Sequence, residues 1–269
     1  MFKTDVEAVV NAAVGKKEQM NHNLLRYMVS AMLAGAYVGI GIVLIFKLGA
    51  PLAAAGSPFQ SLVMGAAFGI ALTLVVFAGS ELFTGNHMFF TISTLSGRTT
   101  MGDTLKNWVL VFIGNLAGAI LLSYLVYASG LFKGLPPDHL IFTAAAKKMN
   151  DPFMELFFRG ILCNWLVCLA LWMGIRAKGE TTKLILIWWC LFAFIATGYE
   201  HSVANMTLLT LATILPGHPE TISIGGWISN MVPVTLGNIL GGGLFVGMAY
   251  WFISSGKESK QKKIAQKAS

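Results

Sequence analysis

The sequence predicts an all-α membrane protein of six transmembrane helices in an inverted 3+3 repeat, two of them broken, and three observations carry the prediction. The 269-residue chain is 55% apolar and only 12% charged, with a mean hydropathy of +0.68, far from the balance of a water-soluble domain. Its charge-poor stretches repeatedly reach the roughly 20 residues that a helix needs to cross a bilayer core. A polar motif, G-x-E-x-x-x-x-N, interrupts two of those stretches, 119 residues apart.

Residues 1–26 hold no continuous apolar run and so are not a cleaved signal peptide. Phe2, Val6, Val9, Val10 and Ala13 recur at helical spacing among Lys3, Asp5 and Glu7, which predicts either an amphipathic helix on the membrane surface or a loosely ordered tail. Spans follow at 27–49, 59–97 (interrupted), 105–132, 152–176, 183–215 (interrupted) and 228–253. Together they make a transmembrane domain over 27–253, with a basic tail over 254–269. With the N-terminus inside, fourteen of the nineteen Lys and Arg residues fall on the inner side, and Lys47, Lys133, Lys147, Lys148 and Arg159 fall outside. That bias places both termini in the cytoplasm. The net charge of +7 is then a lipid-facing and solvated feature, with no call for nucleic acid. Cys163, Cys168 and Cys190 lie inside apolar spans without disulfide or metal-ligand spacing.

The repeat gives the spans a symmetry. Gly79, Glu81 and Asn86 match Gly198, Glu200 and Asn205 at an offset of 119, and Gly114, Asn115, Gly118 and Tyr127 match Gly237, Asn238, Gly241 and Tyr250 at 123. Three spans per half force the second half to enter the membrane upside down. Carboxylates and amides inside apolar runs are costly unless they find partners or line a cavity, so the two breaks are expected to meet at mid-membrane. Half-helix N-termini there carry partial positive charge, which suits an anion. Glycine pairs at four-residue spacing, such as Gly114 and Gly118, allow close helix packing without fixing a subunit number.

His201 is the foremost candidate, an ionisable ring within the second break; a ring held only for structure is the alternative. Glu81 and Glu200 are expected to cap the broken helices by bonding backbone N–H groups, with Glu200 orienting His201, and proton coupling is the alternative. Thr84 offers a loop hydroxyl or an ordinary cap. Lys148 lies just outside the fourth span, where it either attracts anions or snorkels. Asn164, Asn115 and Asn238 are intramembrane amides that interhelical bonding alone would explain. Phe68, Leu72, Leu82 and Phe194 either narrow a pathway or face lipid or core. His87 has no second histidine or cysteine at ligand spacing, so no metal site is expected. There is neither a nucleophile elbow nor a phosphate-cradling loop, so no enzyme and no cofactor is expected.

The segments FAGSELFTGNHMFF, RGILCNWLVCLALWM, IWWCLFAFIATGYEHSVANMTL and TLGNILGGG resemble the formate/nitrite transporter family, in wording its nitrite branch, over about residues 27–253. The resemblance implies a homopentamer in the bacterial inner membrane, each protomer with its own pore in an aquaporin-like fold. It implies a central histidine at His201 beside Glu200, a mobile-loop threonine at Thr84, an outer lysine at Lys148 and an asparagine at Asn164. Asn205 joins this pathway through the repeat motif, and the narrow points match Phe68, Leu72, Leu82 and Phe194. The implied activity is passage of a small monovalent anion, nitrite, with formate or hydrosulfide as alternatives in the same pore. A non-conducting membrane scaffold or sensor is the alternative of another class.

Overall fold

The computed structural model describes residues 2–255, and the basic tail beyond them lies outside the described residues. Within that range every regular element is a helix. The helices are α1 (Lys3–His22), α2 (Leu24–Ala54), α3 (Gln60–Ala67), α4 (Gly69–Phe77), α5 (Phe83–Leu95), α6 (Met101–Ala128), α7 (Leu140–Asn150), α8 (Phe153–Arg176), α9 (Glu180–Ala196), α10 (Ser202–Ile214) and α11 (Ile224–Gly242). A π-helical turn, Gly243–Met248, joins α11 to α12 (Ala249–Ser255). Among the described residues, five segments have the length and apolarity to cross a membrane: Leu24–Ala54, Gln60–Phe77, Met101–Ala128, Phe153–Arg176 and Ile224–Ser254. The run over 183–215 is divided between α9, of 17 residues, and α10, of 13.

Side-chain caps fix where several helices begin. Thr100 and Asp103 close a reciprocal capping box at the start of α6, Asn23 accepts from the Arg26 amide before α2, and Ser223 does the same for Gly226 before α11. Small residues then set how closely the long helices approach. A Cβ on Gly114 or Gly118 would overlap Ala31 or the Met32 carbonyl of α2. One on Gly237 or Gly241 would overlap the Phe157 or Ile161 carbonyl of α8. Thus α2 lies against α6, and α8 against α11, at backbone contact.

The N-terminal helix differs from the expected surface helix. Val6, Val9, Val10 and Ala13 are buried, and the three valines pack with Met88, Ile92, Trp172 and Val246. Phe2 sits edge-on to Trp172 and Tyr250, beneath the Arg176 guanidinium. The apolar face that would have met lipid is taken by the protein, because α1 folds back across α5 and α12.

Candidate functional site

Each polar motif produces a break with the same backbone. Gly79 (φ +77°) ends α4 and Gly198 (φ +75°) ends α9, both in the left-handed region that favours glycine. The amides of Ser80 and Tyr199 donate back to Val75 and Phe194, at 3.0 Å in both cases. Leu82 and His201 are extended, and α5 and α10 start immediately after them. The Glu81 amide donates to Ser30 O of α2 and the Glu200 amide to Arg159 O of α8, each at 3.3 Å.

The caps are asparagines from neighbouring helices. Asn115 Oδ1 accepts from the Phe83 amide (2.9 Å) while its Nδ2 donates to the carbonyls of Ala31 and Glu81. Asn238 Oδ1 accepts from the Ser202 amide (2.8 Å) while its Nδ2 donates to the carbonyls of Gly160 and Glu200. This corrects the expectation for the glutamates. Their carboxylates bond lysine and asparagine side chains: Lys16 Nζ and Asn86 Nδ2 to Glu81, Lys148 Nζ and Asn205 Nδ2 to Glu200. A buried carboxylate gains more from an ammonium than from a half-helix terminus, and a neutral amide caps the helix without burying another charge. Glu200 also does not orient His201; the ring takes its bonds elsewhere.

His201 is 4% exposed, and its Nδ1 accepts the Ala204 amide (3.1 Å), capping α10. A backbone N–H can only donate, so Nδ1 carries no proton and the neutral ring holds its proton on Nε2. Nε2 lies 2.9 Å from Thr84 Oγ1 and therefore donates to it. The Thr84 hydroxyl keeps its own proton for another acceptor. Thr84 is held in turn at its carbonyl, which accepts from Asn164 Nδ2 (3.1 Å) and lies 3.4 Å from Cys168 Sγ. Asn164 Nδ2 also reaches the Asn238 carbonyl and His87 Nδ1. The His87 ring is edge-on to Phe83 and Trp108.

Three cavities line up through this point. The largest, about 550 Å³, is lined by Lys16, Gly79, Glu81, Leu82, Gly85 and Asn86 among others. The smallest, about 10 Å³, is enclosed by Phe68, Leu72, Leu82, Phe194 and His201 with small aliphatic neighbours. The third, about 220 Å³, is lined by Lys148, Phe194, His201 and Asn205. Leu82 borders the first two and Phe194 and His201 the last two, so the constriction lies between two wider mouths. Phe68 meets Phe194 edge to face at 5.5 Å, and Phe194 stacks on His201 at 5.8 Å and 18°. The four apolar residues read from sequence all gather here. Thr84, Asn164 and Glu200 sit just behind, each at most 2% exposed.

A family profile described as formate/nitrite transporter matches residues 3–252. The chain belongs to the formate/nitrite transporter family. That family is one of transporters and channels, and nothing in the match points to catalysis. Within it, the chain is 49% identical to "Nitrite transporter NirC" of Escherichia coli (strain K12), over 86% of this chain and 84% of that one. It is 33% identical to "Formate channel FocA" of the same organism, over 83% and 84%. Among solved structures, an "FNT family ion channel" superposes with a TM-score of 0.88 at 45% identity, over 94% of this chain and 99% of that one. A "Pentameric formate channel with formate bound" gives 0.74 at 31%, over 86% and 97%.

Four residues of this formate/nitrite transporter site escaped the sequence reading: Lys16, Tyr27, Asn107 and Asn230. Tyr27 Oη donates to Glu81 (2.9 Å) and accepts from Asn107 Nδ2 (2.6 Å); Asn230 accepts from Asn205 and donates to the Lys148 carbonyl. The signal for the asparagines was present, since positions 107 and 230 share the 123-residue offset of Asn115 and Asn238. Lys16 carried none, because counted among inner-side charges it reads as an ordinary basic flank.

Proposed function

We propose that the protein is a channel for a small monovalent anion, nitrite, built as six membrane spans in an inverted 3+3 repeat of aquaporin-like shape and assembled as a homopentamer in the bacterial cytoplasmic membrane. The observation that carries the reading is the Thr84–His201 pair at the constriction between two lysine-bearing cavities. The hydrogen bonds of the two breaks support the repeat, the pentameric formate channel supports the assembly, and identity to nitrite transporters above that to formate channels favours nitrite. The lysine bias supports a cytoplasmic α1 side, with residues 27–253 as the channel domain between inner termini.

An anion entering either mouth meets one lysine, then the first-turn amides of a half-helix, whose partial positive charge offsets part of the cost of leaving water. At the constriction it accepts the Thr84 hydroxyl proton as a hydrogen bond, while His201 Nε2–H donates to Thr84 and polarises it. The neutral ring is a donor here. To hand over a full proton, His201 must first gain one on Nδ1, which requires breaking its bond from Ala204. The aromatic and leucine walls exclude water, so the hydrogen bond is made in a low dielectric where it is strongest.

The test is flux in proteoliposomes, with nitrite and formate in competition at two pH values. Nitrite should outcompete formate, and Thr84→Val should lower nitrite flux about tenfold, the loss expected for one hydrogen bond to a charged group. Equal flux in Thr84→Val and the parent protein would remove Thr84 from the pathway, and formate outcompeting nitrite would change the substrate.

A further inference from the structure

The two mouths are not equivalent, and the difference lies in what supports each glutamate apart from its lysine. Glu81 accepts from three side chains: Lys16 Nζ (2.6 Å), Asn86 Nδ2 (3.1 Å) and Tyr27 Oη (2.9 Å). Glu200 accepts from two: Lys148 Nζ (2.6 Å) and Asn205 Nδ2 (2.6 Å). The position in α8 that answers Tyr27, at the 129-residue offset linking Ser30 to Arg159 and Ala31 to Gly160, is Leu156, which has no hydrogen bond to give. Glu81 itself borders the 550 Å³ cavity, whereas the Glu200 side chain is 3% exposed.

Removing an ammonium from a buried carboxylate costs most when few other donors remain. Without Lys148, Glu200 keeps one side-chain donor in a dry site. Without Lys16, Glu81 keeps two and touches the cavity. Lys16 also has a second place to rest its charge, since Nζ lies 5.3 Å from the centre of the Phe89 ring, another wall of the same cavity.

We propose that Tyr27, fixed by Asn107, is a positioning residue that holds Glu81 in place while Lys16 leaves it to take the incoming anion, so that the α1-side mouth captures by a mobile lysine and the α7-side mouth by a fixed one. The inference rests on the channel reading above. Tyr27 is not among the residues lining the cavity, and its hydroxyl donates to Glu81, through which it acts. Asn107 Nδ2 aims the phenol and leaves its single proton for the carboxylate.

The experiment measures nitrite entry from each face of unidirectionally oriented proteoliposomes. Tyr27→Phe keeps the ring and removes the hydroxyl, both the donor to Glu81 and the acceptor of Asn107 Nδ2. It should raise the half-saturating nitrite concentration at the α1 face about tenfold, the worth of one hydrogen bond to a charged group, with the maximal rate and the α7-face value unchanged. In a Lys16→Gln background the same change should have no effect, because the lysine it releases is gone. Asn107→Ala should reproduce the one-sided shift more weakly. A shift equal at both faces, or a fall in maximal rate alone, would assign Tyr27 to general stability and overturn the proposal. Absence of nitrite entry in the parent protein would instead overturn the channel reading.

Discussion

The break after α4 and the break after α9 share a backbone and differ in chemistry. Both have a left-handed glycine, an extended residue before the new helix, an asparagine clamp and a lysine–glutamate pair. Where the first has Leu82, the second has His201, and where the first has Thr84, the second has Val203. A third departure lies on the neighbouring helices. Gly35 of α2 is pressed against the Asn115 carbonyl, and Asn164, its counterpart in α8 at the 129-residue offset, donates to the Asn238 carbonyl and reaches on to Thr84. The matched positions hold up the scaffold, and the unmatched ones supply the donors at the constriction.

If the asparagines are matched scaffold, Asn115→Ala and Asn238→Ala should be equally damaging. Each leaves a buried amide without its acceptor and takes one hydrogen bond from each of two carbonyls, a loss of roughly 3 kcal/mol, read as loss of folded protein by size-exclusion chromatography and thermal scanning in detergent. Unequal damage would break the comparison. His201→Leu, which gives the second break the residue of the first, should leave folding intact and lower nitrite flux about 100-fold, through loss of the charge-polarising donor and of the cap on α10. A folded variant with normal flux would move the chemistry elsewhere.

The smallest effect belongs to the surface beside the second break, where Asp151 accepts from Lys147 and Arg159, the latter also bonded to Glu155. Burial works against ionisation of Asp151, but Lys147 and Arg159 outweigh it and hold the carboxyl below its usual range. A lowered folded-state value means that the pair stabilises the protein above the ordinary aspartate range and ceases to do so as pH falls through the lowered value. Asp151→Asn should therefore cost below about 1 kcal/mol near neutral pH, and its melting temperature should converge with the parent's on acidification.

Five of the six runs read as spans coincide with helices long and apolar enough to cross a membrane, and the non-helical residues 78–82 and 197–201 fall at the glutamate motif, because apolar run length and a glutamate within such a run are strong signals. The run over 105–132 corresponds to α6 at 101–128, and 152–176 to α8 at 153–176. His201 stood out as an ionisable ring within an apolar run, whereas Thr84 and the four apolar residues around the 10 Å³ cavity were assigned mainly through the resemblance, since phenylalanine and leucine in an apolar run carry no mark of a pathway. The glutamate partners were not legible. Lys16 and Lys148 stand 132 residues apart, off all three repeat offsets, because the chain between lysine and following span differs in length in the two halves. Nor could the pattern tell whether a helix end would be satisfied by a nearby carboxylate or by an amide arriving from α6 or α11.

The chamber beside His201 holds about 10 Å³, about the least that admits one water molecule. That leaves no room for a thread of water molecules. If the protein conducts as proposed, an anion would cross this gap without a water wire beside it, and the passage would not double as a leak for hydronium.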